Sequence, residues 1–375
     1  MNTLELTEDQ AFLVLNALPH IGPITLNRIL SELGNDPRGV FTADSRRLEA
    51  IQGVGPVISA TIRGWRDHFD LAREEERMQQ TDTRFLASKD QVYPARLKEI
   101  DSAPIGLYRK GRYDFKQPNV AIVGSRRTTL YGQSVAKKLG AELSGLGFCV
   151  VSGLARGIDT AAHEGALSVG GKTVAVLGNG IDIIYPAENL GLYRQISESG
   201  ALLSEFPFTR RADKQSFAMR NRIVSGMSDA VVVVESDVSG GAMITARFAG
   251  EQGRLLFAVP GRIDQASSAG CHQLIRDGAT LFTGVDDLVN ELSYLDGLRP
   301  GRIPEKSAGS VLQAASNLTS GEKKVYGCFS GGALLIPDQI SELSGVDTAD
   351  LAATLMLLEL KRLIVKRGDG SYEGR

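Results

Sequence analysis

Seven short apolar runs, spaced by segments of helical periodicity, constrain this chain more than any other feature. They lie at 120–124, 148–152, 173–177, 201–206, 230–235, 255–259 and 280–283. Apolar runs without polar alternation mark strands buried on both faces, and such strands joined by helices specify a parallel sheet covered on both sides. The expected fold class is α/β: a Rossmann-like, doubly wound, mostly parallel sheet.

Ligands of such sheets bind beyond the carboxyl ends of the strands. The unusual residues collect there. The first run ends in Gly124-Ser125-Arg126-Arg127 ahead of a helical pattern, which reads as a strand feeding a helix whose free N–H groups bind an anion, with an arginine fork added. The second is followed by Ser152-Gly153-Leu154-Ala155-Arg156, the third by Gly178-Asn179-Gly180, the fifth by Ser239-Gly240-Gly241 and the sixth by Pro260-Gly261-Arg262. A single glycine loop is explained by a tight turn, but several on one edge favour a site. The dinucleotide fingerprint is missing, because Gly124 is followed by Ser125-Arg126-Arg127-Thr128-Thr129 and the next glycine is Gly132. A nicotinamide enzyme is disfavoured.

The formal charge of the 375-residue chain is -2, so a nucleic-acid site has to be a local basic patch. The segment 205–224 supplies one, with Arg210, Arg211, Lys214, Arg220 and Arg222 interleaved with Phe217 and Asn221. Cations that track phosphates beside an aromatic face suit single-stranded nucleic acid. Cys149, Cys271 and Cys328 are odd in number and dispersed, so neither a disulfide framework nor a zinc site is expected. His163 reads as a helix-surface or structural residue, and no metal or cofactor is predicted. The acidic N-terminus lacks a signal-peptide pattern and no apolar run is long enough to span a bilayer, so a cytoplasmic protein is expected.

The chain divides into a helical domain at 1–80, the sheet domain at 81–295, a linker at 296–315 and a small domain at 316–375. The first carries two glycine hairpins, Ile21-Gly22-Pro23 and Val54-Gly55-Pro56, similar to helix-hairpin-helix units. The positions after both prolines are apolar, which leaves a structural module and a DNA-contacting one both open. Three helices and a hairpin after 316 suggest a winged helix. Its would-be reading helix carries Asp347, Asp350 and Glu359 with no basic residue before Lys361, so a protein-interaction or packing role is expected.

At this level of detail the chain resembles the bacterial DNA-processing protein family, DprA, also called Smf. The resemblance rests on Tyr93-Pro94 with Pro104 and Tyr108, on Val123-Gly124-Ser125-Arg126 with Tyr131-Gly132, and on 152–159. It extends through Phe217-Ala218-Met219-Arg220-Asn221-Arg222-Ile223 and Pro260-Gly261 with 270–275. It implies a homodimeric protein that binds and protects single-stranded DNA and loads the RecA recombinase in natural transformation, with the single-strand-binding protein as a further partner. Carried over by motif, Arg126 clamps phosphate, Lys214 lines a basic pocket and Phe217 stacks or shapes its wall. Ser125, Ser152, Gly153, Arg220 and Asn221 complete it, alongside Gly124, Arg127, Arg156 and Gly240 from the rim. The alternative is a phosphoribohydrolase-like enzyme, because Ser239-Gly240-Gly241-Ala242-Met243-Ile244-Thr245 is similar to the Pro-Gly-Gly-x-Gly-Thr motif of nucleoside-monophosphate phosphoribohydrolases. Here serine replaces proline, the second glycine-threonine pairing is lost, and the next glutamate is Glu251.

Overall fold

The computed structural model describes residues 6–293, 318–329 and 333–374. The expected linker at 296–315 lies outside the described residues. Two compact units are present: residues 1–128 with 133–301, and 129–132 with 302–375.

The larger unit is built on a nine-stranded sheet. Its strands are β1 (Thr83–Ala87), β2 (Gly106–Gly111), β3 (Asn119–Val123), β4 (Cys149–Ser152), β5 (Thr173–Leu177), β6 (Ala201–Ser204), β7 (Ala230–Val233), β8 (Leu255–Ala258) and β9 (Thr280–Leu281). The spatial order is β1-β2-β6-β5-β4-β3-β7-β8-β9. From β6 to β9 every pairing is parallel, while β2 joins β6, and β1 joins β2, antiparallel. The chain winds outward from β3 through β6, returns to β7 on the other side of β3, and winds outward again. Strand order therefore reverses between β3 and β7, and a crevice opens at such a switch point.

Every residue of β3 to β7 is buried, and alternate side chains feed different cores. Val120, Ile122, Val150 and Val232 pack with Leu139, Leu143 and Ala162 on one face. Ala121, Val123, Val151 and Val233 pack with Ile223, Val224, Ala246 and Ala249 on the other. A period of two, apolar on both phases, gives this two-sided packing.

Residues 83–111, ahead of the first apolar run, supply β1 and β2, and the Tyr93 hydroxyl donates to the Pro104 carbonyl at 2.7 Å in the connection between them. The N-terminal helices belong to the same compact unit as the sheet. Glu74, one of the acids in the charged run 73–77, shows why. It is 3% exposed and accepts hydrogen bonds from the Tyr108 hydroxyl of β2 at 2.8 Å and the Phe208 N–H at 2.9 Å. Hydrogen bonds to a charged group contribute about 1.5–3 kcal/mol each, and they tie the Leu71–Gln80 helix to the sheet.

The smaller unit holds the helices Ser320–Gly327, Pro337–Ser344 and Thr348–Leu360 and a three-stranded antiparallel sheet. Its core is Val325, Ile340, Leu351, Leu355, Leu358 and Ile364. Among the described residues no helix is long and apolar enough to cross a membrane.

Candidate nucleic-acid interface

At the switch point lies a crevice of about 900 Å³. Gly124, Ser125, Arg126 and Arg127 form one side and Lys214, Phe217 and Asn221 another, with Gly153, Arg220 and Gly240 between them. Ten of the twelve expected site residues therefore come together, although they are spread over the chain from Gly124 to Gly240.

The Lys214–Gly226 helix positions the second of these sides. Asp213 caps it: its carboxylate accepts the Ser216 N–H at 2.7 Å, and the Ser216 hydroxyl accepts the Asp213 N–H at 2.9 Å. With the start fixed, helical spacing turns Lys214, Phe217, Ala218 and Asn221 toward the crevice. The Phe217 ring rests against Gly178 at the end of β5, where an added Cβ would come within 2.8 Å of it. The Arg126 guanidinium lies over the same ring, 4.9 Å from its centroid.

The basic segment read from the sequence as a single binding stretch divides into cations with different partners. Arg210 pairs with Asp213 at 2.6 Å. Arg222 is buried, and one of its terminal nitrogens contacts both carboxylate oxygens of Glu205, at 2.6 and 2.7 Å. Arg220 is 3% exposed, and its guanidinium donates to the carbonyls of Gly153, at 2.7 Å, and Val176. Gly153 leaves the room this guanidinium occupies, since a Cβ there would run into it. Arg220 is thus the floor of the crevice. Burial holds its pKa down to about 10, with the Asp159 carboxylate opposing and the Arg126 charge adding to the drop. Burial likewise raises the pKa of Asp159, which accepts the Gly153 and Ala155 N–H groups at 3.1 and 3.3 Å.

The two remaining expected residues, and Arg262 from the loop after the sixth run, sit elsewhere. Ser152 is fully buried and donates to the Ile122 carbonyl at 2.6 Å, behind the wall. Arg156 forms a two-pronged pair with Glu188, with neither side chain lining the crevice. Arg262 pairs with Asp264 at 2.8 Å. Among the described residues no acid is paired with Arg126, Arg211 or Lys214.

The anion-binding helix end also differs from expectation. The Leu130–Gly145 helix begins five residues beyond Ser125, and its first turn does not line the crevice. The Ser125 N–H is used by the Glu235 carbonyl, at 2.7 Å. Instead the Gly241–Glu251 helix, entered through Gly240 with no side-chain cap, directs its N-terminus at the crevice through Gly241 and Ala242. Glu251, the acid the phosphoribohydrolase-like reading needs, lies at the far end of this helix, about 15 Å along its axis. It pairs there with Arg247 at 3.6 Å.

His163 occupies a structural position, as one of the two expected alternatives. It is fully buried, with Nδ1 2.6 Å from the Thr173 hydroxyl, and burial together with the Arg220 charge lowers its pKa to about 3. Among the described residues no group of three or more His, Cys, Asp or Glu is placed to hold a metal. Sequence reasoning passed over Ile183 and Tyr185, which lie beside the crevice. The exposed aromatic Tyr185 beside a proline was the only signal available.

Comparison with known proteins places the chain in a family. The family model for DNA recombination-mediator protein A matches residues 84–293. A protein named Smf from a Synechocystis species is 31% identical, over 98% of this chain and 99% of its own. The X-ray structure of DNA processing protein A from Streptococcus pneumoniae matches with a TM-score of 0.68 and 33% identity, over 77% of this chain and 99% of that one. A Helicobacter pylori structure of the same protein, reported for its single-stranded DNA binding mode, matches with a TM-score of 0.52 and 31% identity, over 56% of this chain and 96% of that one. The match spans the whole sheet and the crevice at its switch point, and this chain belongs to the DNA recombination-mediator protein A family.

Proposed function

We propose that this chain binds single-stranded DNA in the switch-point crevice and delivers it to a RecA-type recombinase. One observation carries the DNA reading: Arg126 and Lys214 flank Phe217 at the crevice without an acidic partner among the described residues, above the buried charge of Arg220. The mutual repulsion of Arg126 and Arg220 is relieved by an anion, and a phosphodiester is the anion a chain with a bordering aromatic surface suits best. In this reading Gly124, Ser125, Arg127, Asn221 and Gly240 shape the bed of the phosphate, while Ser152, Gly153 and Arg220 hold its floor. Arg156 stays outside unless Glu188 releases it.

Delivery to a recombinase, partnership with single-strand-binding protein, action as a homodimer and a part in natural transformation rest on family membership and on the resemblance in the sequence. The three helices and three-stranded antiparallel sheet of the smaller unit support the winged-helix reading. Its Lys361 pairs with Glu322 at 2.6 Å and its Arg367 with Glu373 at 3.2 Å, which supports a packing or protein-binding role over groove reading.

The test is fluorescence anisotropy with oligo-dT and a matched duplex across a salt series. The wild type should prefer the single strand, with a log-log salt slope of about 0.7 per neutralised phosphate. Arg126→Ala with Lys214→Ala should weaken binding by about 3 kcal/mol or more and flatten the slope by about 1.4. Equal, salt-insensitive binding of both DNAs by wild type and variant would remove the proposal. Recombinase filament formation on strands coated with single-strand-binding protein then tests delivery.

A further inference from the structure

The smaller unit concentrates the exposed apolar side chains of this protein. Of the fifteen large hydrophobic residues exposed among the described residues, five lie within 336–360: Ile336, Leu343, Met356, Leu357 and Leu360. Three of them belong to the Thr348–Leu360 helix, whose apolar residues spread around most of its circumference. A helix of that composition is ordinarily covered all round. This one buries only Leu351, Leu355 and Leu358, which pack into the core of the unit. At about 100° per residue, Ala349, Ala353, Met356 and Leu360 fall on the opposite side, and all four are exposed. Met356 is 64% exposed and Leu360 70%. On the Pro337–Ser344 helix, which packs against this one, Leu343 is 63% exposed.

The charge around this face decides what covers it. From Ala333 to Leu360 the chain has five acids, Asp338, Glu342, Asp347, Asp350 and Glu359, and no lysine, arginine or histidine. All five acids are exposed, and none pairs with a cation among the described residues. On the helix itself, Asp350 and Glu359 border the apolar stripe on its two sides. Such a surface repels a phosphate backbone and an anionic lipid layer alike. It also repels a second copy of itself, which would set five acids against five. Exposed apolar patches rimmed by charge mark partner surfaces, and here the rim has one sign.

We propose that the outward face of the Thr348–Leu360 helix is the docking site for a basic amphipathic helix carried by a partner protein. The incoming helix lays its apolar side chains on Met356, Leu357 and Leu360, and its lysines or arginines along Asp350 and Glu359. Ala349 and Ala353 leave room for large side chains at one end of the stripe. At the other end the unbranched, polarisable Met356 adapts to the shape that arrives. The proposal rests on the protein-binding reading of the smaller unit and adds where the partner sits and which chemistry it presents. It is independent of the crevice.

The experiment titrates the full chain into a fluorescein-labelled model peptide about five helical turns long, with leucine along one helical stripe and lysine elsewhere. A scrambled peptide of the same composition and a version with glutamate for lysine are the controls. Wild type should bind the patterned lysine peptide at least about tenfold more tightly than either control. Met356→Gln with Leu360→Gln should remove most of that preference and leave the urea midpoint unchanged, since both side chains are exposed. Asp350→Asn with Glu359→Gln should weaken binding several-fold and flatten its salt dependence. Equal binding of the patterned and scrambled peptides, or of the patterned peptide by wild type and the Met356 and Leu360 variant, overturns the docking site. Tighter binding of the glutamate peptide overturns its charge. A smaller sedimentation coefficient for the Met356 and Leu360 variant than for wild type, without peptide, makes a second copy the occupant and overturns it too. Failure of the protein-binding reading looks different: the same variant would then lose affinity for duplex DNA, which is groove reading, or unfold at lower urea, which is packing.

Discussion

The lip and the floor of the crevice carry the same charge in opposite employment. At the lip, Arg126 and Lys214 stand exposed beside Phe217 with no acid paired to either among the described residues. At the floor, Arg220 is buried and occupied with two backbone carbonyls that close the ends of β4 and β5. The lip is built to receive an anion, and the floor is built to hold the strands that support the lip. The contrast shows that a cluster of arginines in a sequence says little about binding until each partner is known.

The largest expected effect attacks the floor. Arg220→Ala should lower stability by about 3–5 kcal/mol in urea unfolding, because it leaves Asp159 and two carbonyls buried without their cation. Arg126→Ala should change stability by less than about 0.5 kcal/mol, as an exposed substitution. Similar urea midpoints for the two variants would erase the distinction.

Acid also separates the two. His163 lies within reach of the Arg220 charge, and its folded pKa is near 3, against about 6.5 in an unfolded chain. Below pH 6.5 the unfolded chain takes up a proton that the folded one refuses. The His163 contribution is therefore complete above pH 6.5 and is lost as pH falls toward 3, at up to about 1.4 kcal/mol per pH unit. At pH 5 the loss is about 2 kcal/mol. Unfolding of wild type and His163→Gln at pH 7.5 and 5 isolates it, since the opposing contribution of Asp159, whose carboxyl pKa is raised, is common to both proteins. Identical pH dependence in the two would exclude His163 as the source.

The smallest effect concerns the rim. Glu188→Gln releases Arg156 from its two-pronged pair and should strengthen oligo-dT binding a few-fold, steepening the salt slope by about 0.7 if one more phosphate is reached. No change in the slope would place Arg156 outside the path of the strand.

Several elements are legible in the sequence itself. The three helices expected after 316 correspond to Ser320–Gly327, Pro337–Ser344 and Thr348–Leu360, because their apolar spacing is dense and their caps, Thr319 with Glu322 among them, are local. Glu74 was illegible, since nothing in a run of charged residues marks the one that a tyrosine from β2 will cover. The helix end that faces the crevice was assigned to the wrong strand for a related reason. A loop of four residues after Ser125 carries the chain to the Leu130–Gly145 helix, whose first turn does not line the crevice, and loop length does not reveal direction.

The order of apolar runs and helices by itself determined a parallel sheet covered on both faces, and with it the edge where a ligand binds, because burial on two sides demands uninterrupted apolar strands. Tertiary structure alone decided which cations remain available there. Arg156 meets Glu188, Arg222 meets Glu205 and Arg220 meets Val176 across loops and helices that only the folded chain brings together. It also decided that Tyr185 stands beside Phe217, since the two lie on separate excursions from the sheet. Local pattern specifies elements through short-range periodicity, whereas the free charge of a site is what remains after long-range pairing.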